Sequence, residues 1–339
     1  FLSDFKSHLL VIRLSAMGDV AILATILNAL LEQNKGIKIT VLTQKKFSPI
    51  FKGLKNTTVH SVETKTKHKG FLGIFKLYKE LKKQNFTAIA DVHNVLRSTI
   101  LKILFSGKTF VQIDKGRKEK KNLISKRYFV QLKTSHERYA EVFRKLGFTI
   151  NLSNPNFPNK AILPYKVKKF FPDLKHKKII GIAPFAAHKS KMYPLEKMKI
   201  VIERLSENHI VLLFGSKNEI PMLNSFEKNS NILSVASKLT FSEELETISN
   251  LDCMLSMDSG NGHLAAIFGV KVITIWGVTH PFTGFAPFYQ PKEYALLPDL
   301  EKFPKIPTSI YGNKYPETYL NAAGSISIEK IISKIESIL

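Results

Sequence analysis

The sequence predicts an α/β protein built from two doubly wound domains, each with a parallel sheet covered by helices. Three observations support this fold class. Short apolar runs of strand length alternate with longer segments of helical period along most of the chain. The alternation is interrupted once, over residues 151–178, and then restarts. The length of 339 residues also exceeds what one hydrophobic core ordinarily supports.

The first half begins with a βαβ unit. An apolar run at 9–14 leads through a turn at Gly18 into a helical pattern at 20–32, and a second strand follows at 37–42. The same alternation predicts helices at 71–83, 96–105 and 136–146 and strands at 88–92 and 109–113. Repeated units of this kind form a parallel sheet with covering helices.

The interruption carries four prolines among lysines, at positions that neither a long helix nor a central strand tolerates. They are Pro155, Pro158, Pro164 and Pro172. We therefore expect an N-terminal domain at 1–160, a linker at 161–178, a C-terminal domain at 179–325 and a terminal helix at 326–339.

The second half repeats the pattern of the first. Strands are predicted at 179–183, 210–214, 253–257 and 272–276, and helices at 195–206, 241–250, 262–268 and 328–339. Ligands of doubly wound sheets bind at the carboxyl ends of the strands. We therefore expect the two domains to face each other across a ligand-binding cleft.

Composition excludes several classes of protein. Hydrophobic residues at 44% and charged residues at 23% are typical of a folded chain rather than a disordered one. No apolar run reaches the length of a membrane-spanning helix, and we expect no export signal. The single cysteine, Cys253, excludes an internal disulfide framework and a Cys-based zinc site. A reducing, cytoplasmic location is the expectation.

The net charge of +24 is concentrated in the first half of the chain. Residues 1–165 contain 30 Lys and Arg against 10 Asp and Glu, whereas the remainder contains 21 against 17. The positive potential of so basic a region attracts nucleic acid, anionic lipid or a phosphorylated substrate, and charge alone does not choose among them. The basic cluster at 115–127 fits a phosphate-binding loop and a solvated face about equally well.

Two motifs stand between a strand and a helix. In the first, RLSAMGD at 13–19, Gly18 permits a sharp turn and Asp19 lies at the helix N-terminus, where it is either a simple cap or a functional carboxylate. The three-glycine dinucleotide fingerprint is absent, which disfavours a nicotinamide enzyme. In the second, at 183–194, we expect Lys189 to be solvated and Lys191 to meet a phosphate near the helix dipole.

The third motif, DSGNGHLAA at 258–266, follows the predicted strand at 253–257. Small residues with free backbone N–H groups at the start of a helix form an anion cradle that can hold a diphosphate without a metal. A helix cap alone needs one Ser or Asp and neither the two glycines nor His263. For His263 a structural role and a functional role are equally open.

In this order and spacing the three motifs resemble glycosyltransferase family 9, the lipopolysaccharide heptosyltransferases. DVHNVLRS at 91–98 and WGVTHP at 276–281 extend the similarity, which covers nearly the whole chain. The resemblance implies a GT-B fold, in which two Rossmann-like domains face each other. It also implies an ADP-activated heptose donor, inversion at the anomeric carbon and no required metal or other cofactor.

The resemblance also implies that the domain at 1–160 binds the acceptor and the domain at 179–325 binds the nucleotide-sugar donor, and it implies roles for individual residues. Asp19 matches the family's catalytic base, Lys191 the lysine on the donor diphosphate, and Glu219 the acid that binds the ribose. The donor-phosphate loop comprises Asp258, Ser259, Gly260, Asn261, Gly262 and His263. We assign acceptor binding to Arg13, Ser15, Arg97, Lys118, Lys120 and Lys121, and no residue to a metal.

The function predicted from these features is a cytoplasmic transferase, peripheral at the inner face of the inner membrane. Its expected partners are a nucleotide sugar, a phosphorylated lipid-linked glycan acceptor and an anionic membrane surface. One alternative keeps the fold and changes the donor to another nucleotide sugar, since Ala186 and Ala187 replace a hydroxyl pair typical of the family. The other is a basic nucleic-acid-binding protein, although the interleaved aromatic residues of a stacking platform are absent.

Overall fold

The computed structural model describes residues 7–171, 177–236 and 238–339. Its strands are β1 (Ser7–Ile12), β2 (Ile37–Thr43), β3 (Thr57–Ser61), β4 (Ala88–Asp91), β5 (Thr109–Gln112), β6 (Ile179–Ala183), β7 (Ile210–Leu213), β8 (Ile232–Ser234), β9 (Cys253–Met257), β10 (Lys271–Ile275) and β11 (Ala295–Leu296). Its helices are α1 (Met17–Gln33), α2 (Gly70–Lys82), α3 (Leu96–Leu104), α4 (Arg117–Ile124), α5 (Ser135–Lys145), α6 (Tyr165–Phe170), α7 (Leu195–Ser206), α8 (Ile220–Ser225), α9 (Phe241–Ile248), α10 (Gly260–Ile267) and α11 (Ile328–Glu336).

The first compact unit contains residues 7–115 and 135–156 and is built on one parallel sheet. Its strand order is β3-β2-β1-β4-β5, so β2 and β3 extend the sheet on one side of β1, and β4 and β5 extend it on the other. Helix α1 is buried around most of its circumference, because long apolar side chains such as Ile22, Leu23 and Ile26 occupy successive faces. The switch point beside β1 is where doubly wound sheets bind ligands, and α1 begins there.

The second unit contains residues 116–134 and the described residues from 157 onward. Its parallel sheet has the strand order β11-β10-β9-β6-β7-β8. Apolar residues of β6, β7, β9 and β10 share one core with α7 and α11, including Ile182, Leu213 and Ile331. The central pair β6 and β9 marks the switch point of this sheet, and the loops that follow both strands carry predicted site residues.

Residues 116–134 belong to the second unit, whereas the division predicted from the sequence placed them in the first domain. The backbone N–H of Leu132 donates to the carbonyl of Phe282 at 3.0 Å, and the Phe129 ring packs on those of His280 and Phe282. The ammonium of Lys126 donates to the carbonyl of Ile306. These contacts join residues more than a hundred positions apart, so a local pattern cannot reveal them.

Most predicted elements are present, with ends shifted by a few residues. Strands β3, β8 and β11 were missed, because β3 is a half-exposed edge strand in which only Val59 is apolar and the other two have three and two residues. Helices α4 and α8 were also missed, since each has a single buried residue, Leu123 or Leu223. The predicted linker at 161–178 contains the short helix α6, and its residues 172–176 lie outside the described ranges.

None of the helices within the described ranges has both the length and the apolar character needed to cross a membrane.

Candidate active site

Asp19 lies in the first turn of α1, two residues after the helix begins. Its Oδ2 accepts the backbone N–H of Ala16 at 3.3 Å, so the carboxylate reaches back and caps the helix start. The same oxygen forms an ion pair with the guanidinium of Arg13. Capping therefore accounts for part of its position. The side chain nevertheless remains 27% exposed, which leaves a carboxylate accessible at the carboxyl end of β1.

Arg13 and Tyr139 fix the orientation of this carboxylate. The phenolic hydroxyl of Tyr139 donates to Asp19 Oδ1 at 3.3 Å, and the Arg13 guanidinium stacks 5.7 Å from the centre of the Tyr139 ring. Arg13 also donates to the carbonyl of Val92 at 2.8 Å. Arg13, predicted to bind the acceptor, is thus buried and positions Asp19 directly. Ser15 lies half-buried between β1 and α1.

The loop after β4 is held by the buried carboxylate of Asp91. Its Oδ1 accepts the backbone N–H groups of His93 and Asn94 at 2.9 and 2.8 Å, and its Oδ2 accepts the side-chain amide of Gln112 at 2.9 Å. Asn94 has a left-handed backbone with φ of 48°. Asp91 therefore stabilises the turn that carries His93 and leads into α3 rather than facing a substrate.

His93 lies beside the Asp19 carboxylate's partner, Arg13. Burial, together with the charge of Arg13, lowers the pKa of His93 to about 4. Its neutral Nδ1 accepts the backbone N–H of Leu14 at 3.4 Å. Arg97, predicted to bind the acceptor, donates to the carbonyl of His68, and burial lowers its pKa. Arg97 thus joins the starts of α2 and α3 within the first unit.

In the second unit, Lys191 is paired with Asp258 immediately after β9. The Lys191 ammonium lies 2.8 Å from Asp258 Oδ2, and the same oxygen accepts the hydroxyl of Thr279 at 2.8 Å. The two charged side chains are only 13% and 9% exposed. The structure therefore brings together two residues that were assigned separately to the donor phosphates, and Asp258 holds the lysine in place.

Two glycines determine the path of the Lys191 segment. A Cβ at Gly277 would lie 2.1 Å from the carbonyl oxygen of Ser190, which itself accepts the N–H of Val278 at 3.1 Å. Gly312 has φ of 81°, and a Cβ there would lie 2.6 Å from the Lys191 side chain. The aliphatic stem of Lys191 thus passes over Gly312 before its ammonium reaches Asp258. Lys189, as expected, is exposed.

Helix α10 begins directly after this pair. The first N–H groups of a helix have no partner within it, and its dipole favours an anion there. The Ser259 hydroxyl at the N-cap is buried and has no hydrogen-bond partner among the described residues. Gly260 and Asn261 occupy the first turn and are half-buried, while His263 is buried in the same helix. This part of the predicted cradle fits an anion.

Gly262 has a packing role in the same turn. A Cβ at this position would lie 2.6 Å from the Ser256 hydroxyl and 3.3 Å from Val272. The glycine is therefore required for α10 to approach the sheet, and the helix–sheet contact explains it without a ligand. The sequence pattern alone cannot separate this role from phosphate binding.

Glu219 lies after β7, at the same edge of the sheet. Its Oε2 accepts the backbone N–H of Ser216 at 2.6 Å, which closes a short helical turn. A Cβ at Gly215 would lie 3.0 Å from this oxygen, so the glycine leaves room for the carboxylate. The side chain is half-buried.

The remaining predicted acceptor residues lie on α4 in the second unit. Lys118 and Lys121 are exposed, and the ammonium of Lys120 lies 4.6 Å from the centre of the Phe285 ring. Among the described residues no group of three His, Cys, Asp or Glu side chains could hold a metal ion.

Sequence reasoning missed Tyr139, Thr279 and Gly312. Tyr139 lies in an amphipathic helix without any motif and reaches Asp19 across 120 positions. Gly312 lies in an irregular stretch where glycine is unremarkable. Thr279 is the exception, because the segment at 276–281 had been noted and its hydroxyl could have been assigned to a buried polar partner.

Solved structures with the same architecture show the fold of this protein. A glycosyl transferase family 9 structure from Veillonella parvula aligns with 99% of this chain and 98% of its own length, with a TM-score of 0.76 at 15% identity. The E. coli heptosyltransferase WaaC with ADP-2-deoxy-2-fluoro heptose covers 97% of this chain and 99% of its own, with a TM-score of 0.69 at 17% identity. The chain thus has the GT-B fold, as the sequence predicted.

The sequence itself identifies the family. The family model described as glycosyltransferase family 9 (heptosyltransferase) matches residues 74–310, which is more than half of the chain. The lipopolysaccharide heptosyltransferase 1 of Campylobacter coli is 26% identical over 294 residues, covering 79% of this chain and 83% of that protein. The protein belongs to glycosyltransferase family 9 and is a glycosyltransferase, which confirms the resemblance found in the motifs.

Proposed function

We propose that this protein is an inverting, metal-independent glycosyltransferase that moves heptose from ADP-heptose to a phosphorylated lipopolysaccharide core or lipid-linked acceptor. The observation that carries the proposal is the Lys191–Asp258 pair beside the start of α10, with an unpartnered Ser259 hydroxyl at the cap. Family membership supports heptose, and the ADP-sugar named with the E. coli neighbour supports the nucleotide. The relative named a lipopolysaccharide heptosyltransferase supports the acceptor class.

The proposed chemistry is a single displacement. The Asp19 carboxylate takes the proton of an acceptor hydroxyl as its oxygen bonds to the anomeric carbon, and the bond from that carbon to the donor phosphate oxygen breaks. Attack from the face opposite the leaving group inverts the configuration. The charge that develops on the departing diphosphate is stabilised by Lys191 and by the N–H groups at the start of α10.

Independence from metal is part of the proposal. A lysine and a helix N-terminus supply the positive charge that a divalent cation supplies in other transferases. We therefore expect transfer rates in EDTA to equal those in added magnesium. A rate that depends on the metal and saturates with it would contradict this part of the mechanism.

The donor nucleotide is the first point to test. In a thermal-shift panel of ADP, UDP, GDP and CMP, ADP at 100 times its Kd should stabilise the fold by about 2.7 kcal/mol, or about 5–10 °C in Tm. The other nucleotides should have little effect at the same concentration. A larger shift with UDP, GDP or CMP would favour the alternative donor, which the replacement of the family's hydroxyl pair by Ala186 and Ala187 suggests.

The exposed lysines of α4 are proposed to meet acceptor phosphates. Replacing Lys118, Lys120 and Lys121 together by glutamine should raise the acceptor KM and leave ADP affinity unchanged. If the acceptor is embedded in the cytoplasmic leaflet of the inner membrane, the protein is located peripherally at that face. Tight, sequence-independent binding of nucleic acid that the triple variant loses would instead support the nucleic-acid alternative.

A further inference from the structure

Large apolar side chains are exposed on two neighbouring helices of the first unit. Phe71, Leu72 and Phe75 of α2 are 67%, 83% and 39% exposed, and Leu96 and Ile103 of α3 are 79% and 70% exposed. We call these five side chains the α2–α3 face. Scattered exposed hydrophobic residues need no explanation, whereas a cluster on adjacent helices marks a surface that binds something.

The two helices present this face on the same side of the sheet. Ile74 and Leu77 of α2 and Leu101 of α3 enter one core cluster, so the outward sides of both helices point away from it. The Arg97 bond to the His68 carbonyl fixes the beginning of α3 beside the beginning of α2. The exposed residues at both helix starts therefore belong to one surface.

The surroundings of the face are strongly cationic. Residues 65–83 contain seven lysines and one acid, Glu80, while residues 92–113 contain no Asp or Glu. Glu80 is bound by Lys67 and lies next to His60 and His68. Lys76 and Lys79 of α2 are exposed one and two turns beyond Leu72, and Lys83, directly after the helix, is exposed as well. Apolar side chains with a lysine border match the interfacial region of a bilayer that contains anionic lipid.

We propose that the α2–α3 face is the membrane-docking surface of this protein, with its apolar residues in the headgroup–acyl boundary and its lysines on anionic headgroups. A second copy of the chain is disfavoured, because two such cationic surfaces repel each other. A nucleic acid would use the lysines and leave Leu72, Leu96 and Ile103 exposed. The inference rests on the proposed function, because a lipid-linked acceptor is the reason for this protein to bind a membrane. It assigns docking to α2 and α3 rather than to the α4 lysines.

The test measures sedimentation of the full chain with vesicles, without donor or acceptor. Wild type should bind vesicles of phosphatidylcholine and phosphatidylglycerol and bind pure phosphatidylcholine weakly. A Phe71→Gln/Leu72→Gln variant should bind the anionic vesicles about tenfold more weakly or worse, because both side chains lose their apolar contact. Glutamine keeps the helix propensity of α2 high, and thermal unfolding checks that the variant folds.

A second variant tests the charge. Lys76→Gln/Lys79→Gln/Lys83→Gln should lose about fivefold for each lysine, or about 100-fold in total, and the loss should shrink as salt is raised.

Two matched controls remove equivalent groups elsewhere. Ile200→Gln/Met222→Gln removes two exposed apolar residues of the second unit, and Lys45→Gln/Lys52→Gln/Lys55→Gln removes the same charge from the first unit. The apolar control should bind as wild type does, and the charge control should lose much less than the variant of Lys76, Lys79 and Lys83.

Three results would overturn the inference. The first is vesicle binding by the Phe71→Gln/Leu72→Gln variant that equals that of wild type, and the second is a loss of vesicle binding in the charge control as large as in the Lys76, Lys79 and Lys83 variant. The third is that wild type does not bind vesicles, while the Phe71→Gln/Leu72→Gln variant changes self-association or RNA binding. Transfer from ADP-heptose to a detergent-dispersed acceptor provides the separate readout. Docking variants that transfer normally there would leave the proposed function intact, whereas wild type that binds vesicles but uses no ADP-heptose would refute the function alone.

Discussion

The buried pair of Lys191 and Asp258 allows stability and catalysis to be separated at one site. Replacing Lys191 by methionine keeps the aliphatic stem over Gly312 and removes the charge, which leaves Asp258 buried with the Thr279 hydroxyl as its remaining partner. Breaking a buried pair by removing one partner ordinarily costs about 3–5 kcal/mol. With the side chains 13% and 9% exposed we expect about 3 kcal/mol, or a fall in Tm of about 6–12 °C.

A second variant supplies the control. Lys191→Met/Asp258→Asn removes the uncompensated charge while an asparagine oxygen still accepts from Thr279, so its stability should return to within about 1 kcal/mol of wild type. The rate of sugar transfer should not recover in the double variant, because both variants lack the charge that stabilises the leaving diphosphate. Each should lose on the order of 10² to 10³ in kcat. Urea unfolding and single-turnover transfer measure the two effects.

Two outcomes would contradict the roles assigned to Lys191 and Asp258. If the double variant is no more stable than Lys191→Met, Asp258 is not strained by the loss of its partner and the pair is not a structural unit. If the double variant regains transfer, or if only the donor KM rises while kcat is unchanged, Lys191 binds the donor uniformly and has no role in the transition state.

Three further predictions concern the remaining parts of the site. Asp19→Asn should lower transfer by about 10² to 10⁴ while ADP still raises Tm as in wild type, and equal rates would remove Asp19 from the mechanism. Gly277→Ala should lower both stability and ADP affinity, because its Cβ would meet the Ser190 carbonyl at 2.1 Å, whereas Gly107→Ala, with open space around it, should change neither. Since burial lowers the pKa of His93 to about 4 from 6.5, the unfolded chain takes up a proton first as pH falls. His93 should therefore contribute nothing to the pH dependence of stability above pH 6.5 and a decline of up to about 3 kcal/mol towards pH 4, beside a similar contribution from His280, whose pKa burial also lowers to about 4. In urea titrations His93→Gln should decline less steeply than wild type, and an equally steep decline would exclude His93 as a source.

The fold class was predictable because each buried element carries its own local pattern. Strands such as β1, β6 and β9 consist mostly of buried apolar residues, and the helices between them have a buried face. What local pattern could not give is the packing of 116–134 with the second unit. Only long-range contacts such as that from Leu132 to Phe282 determine it.

The residues of the site were predictable to the extent that they stand where a strand ends and a helix begins. Asp19, Lys191 and Asp258 were singled out in this way, and their roles remain predictions. Their supporting partners were not, because Tyr139 and Gly312 come from distant segments without a motif. The sequence also could not show that Gly262 serves helix–sheet packing, or that Arg13 and Arg97 are engaged within their own unit. Their assigned contacts with the acceptor remain predictions.

The central claim is that this chain transfers heptose from an ADP-activated donor with inversion. The most direct measurement incubates the purified protein with ADP-heptose and a phosphorylated lipid-linked core acceptor in EDTA, and determines the mass and the anomeric configuration of the product. The account requires an acceptor extended by one heptose, in the configuration opposite to that of the donor, and far less of it with Asp19→Asn. A product with retained configuration, or extension with another nucleotide sugar and none with ADP-heptose, would contradict it.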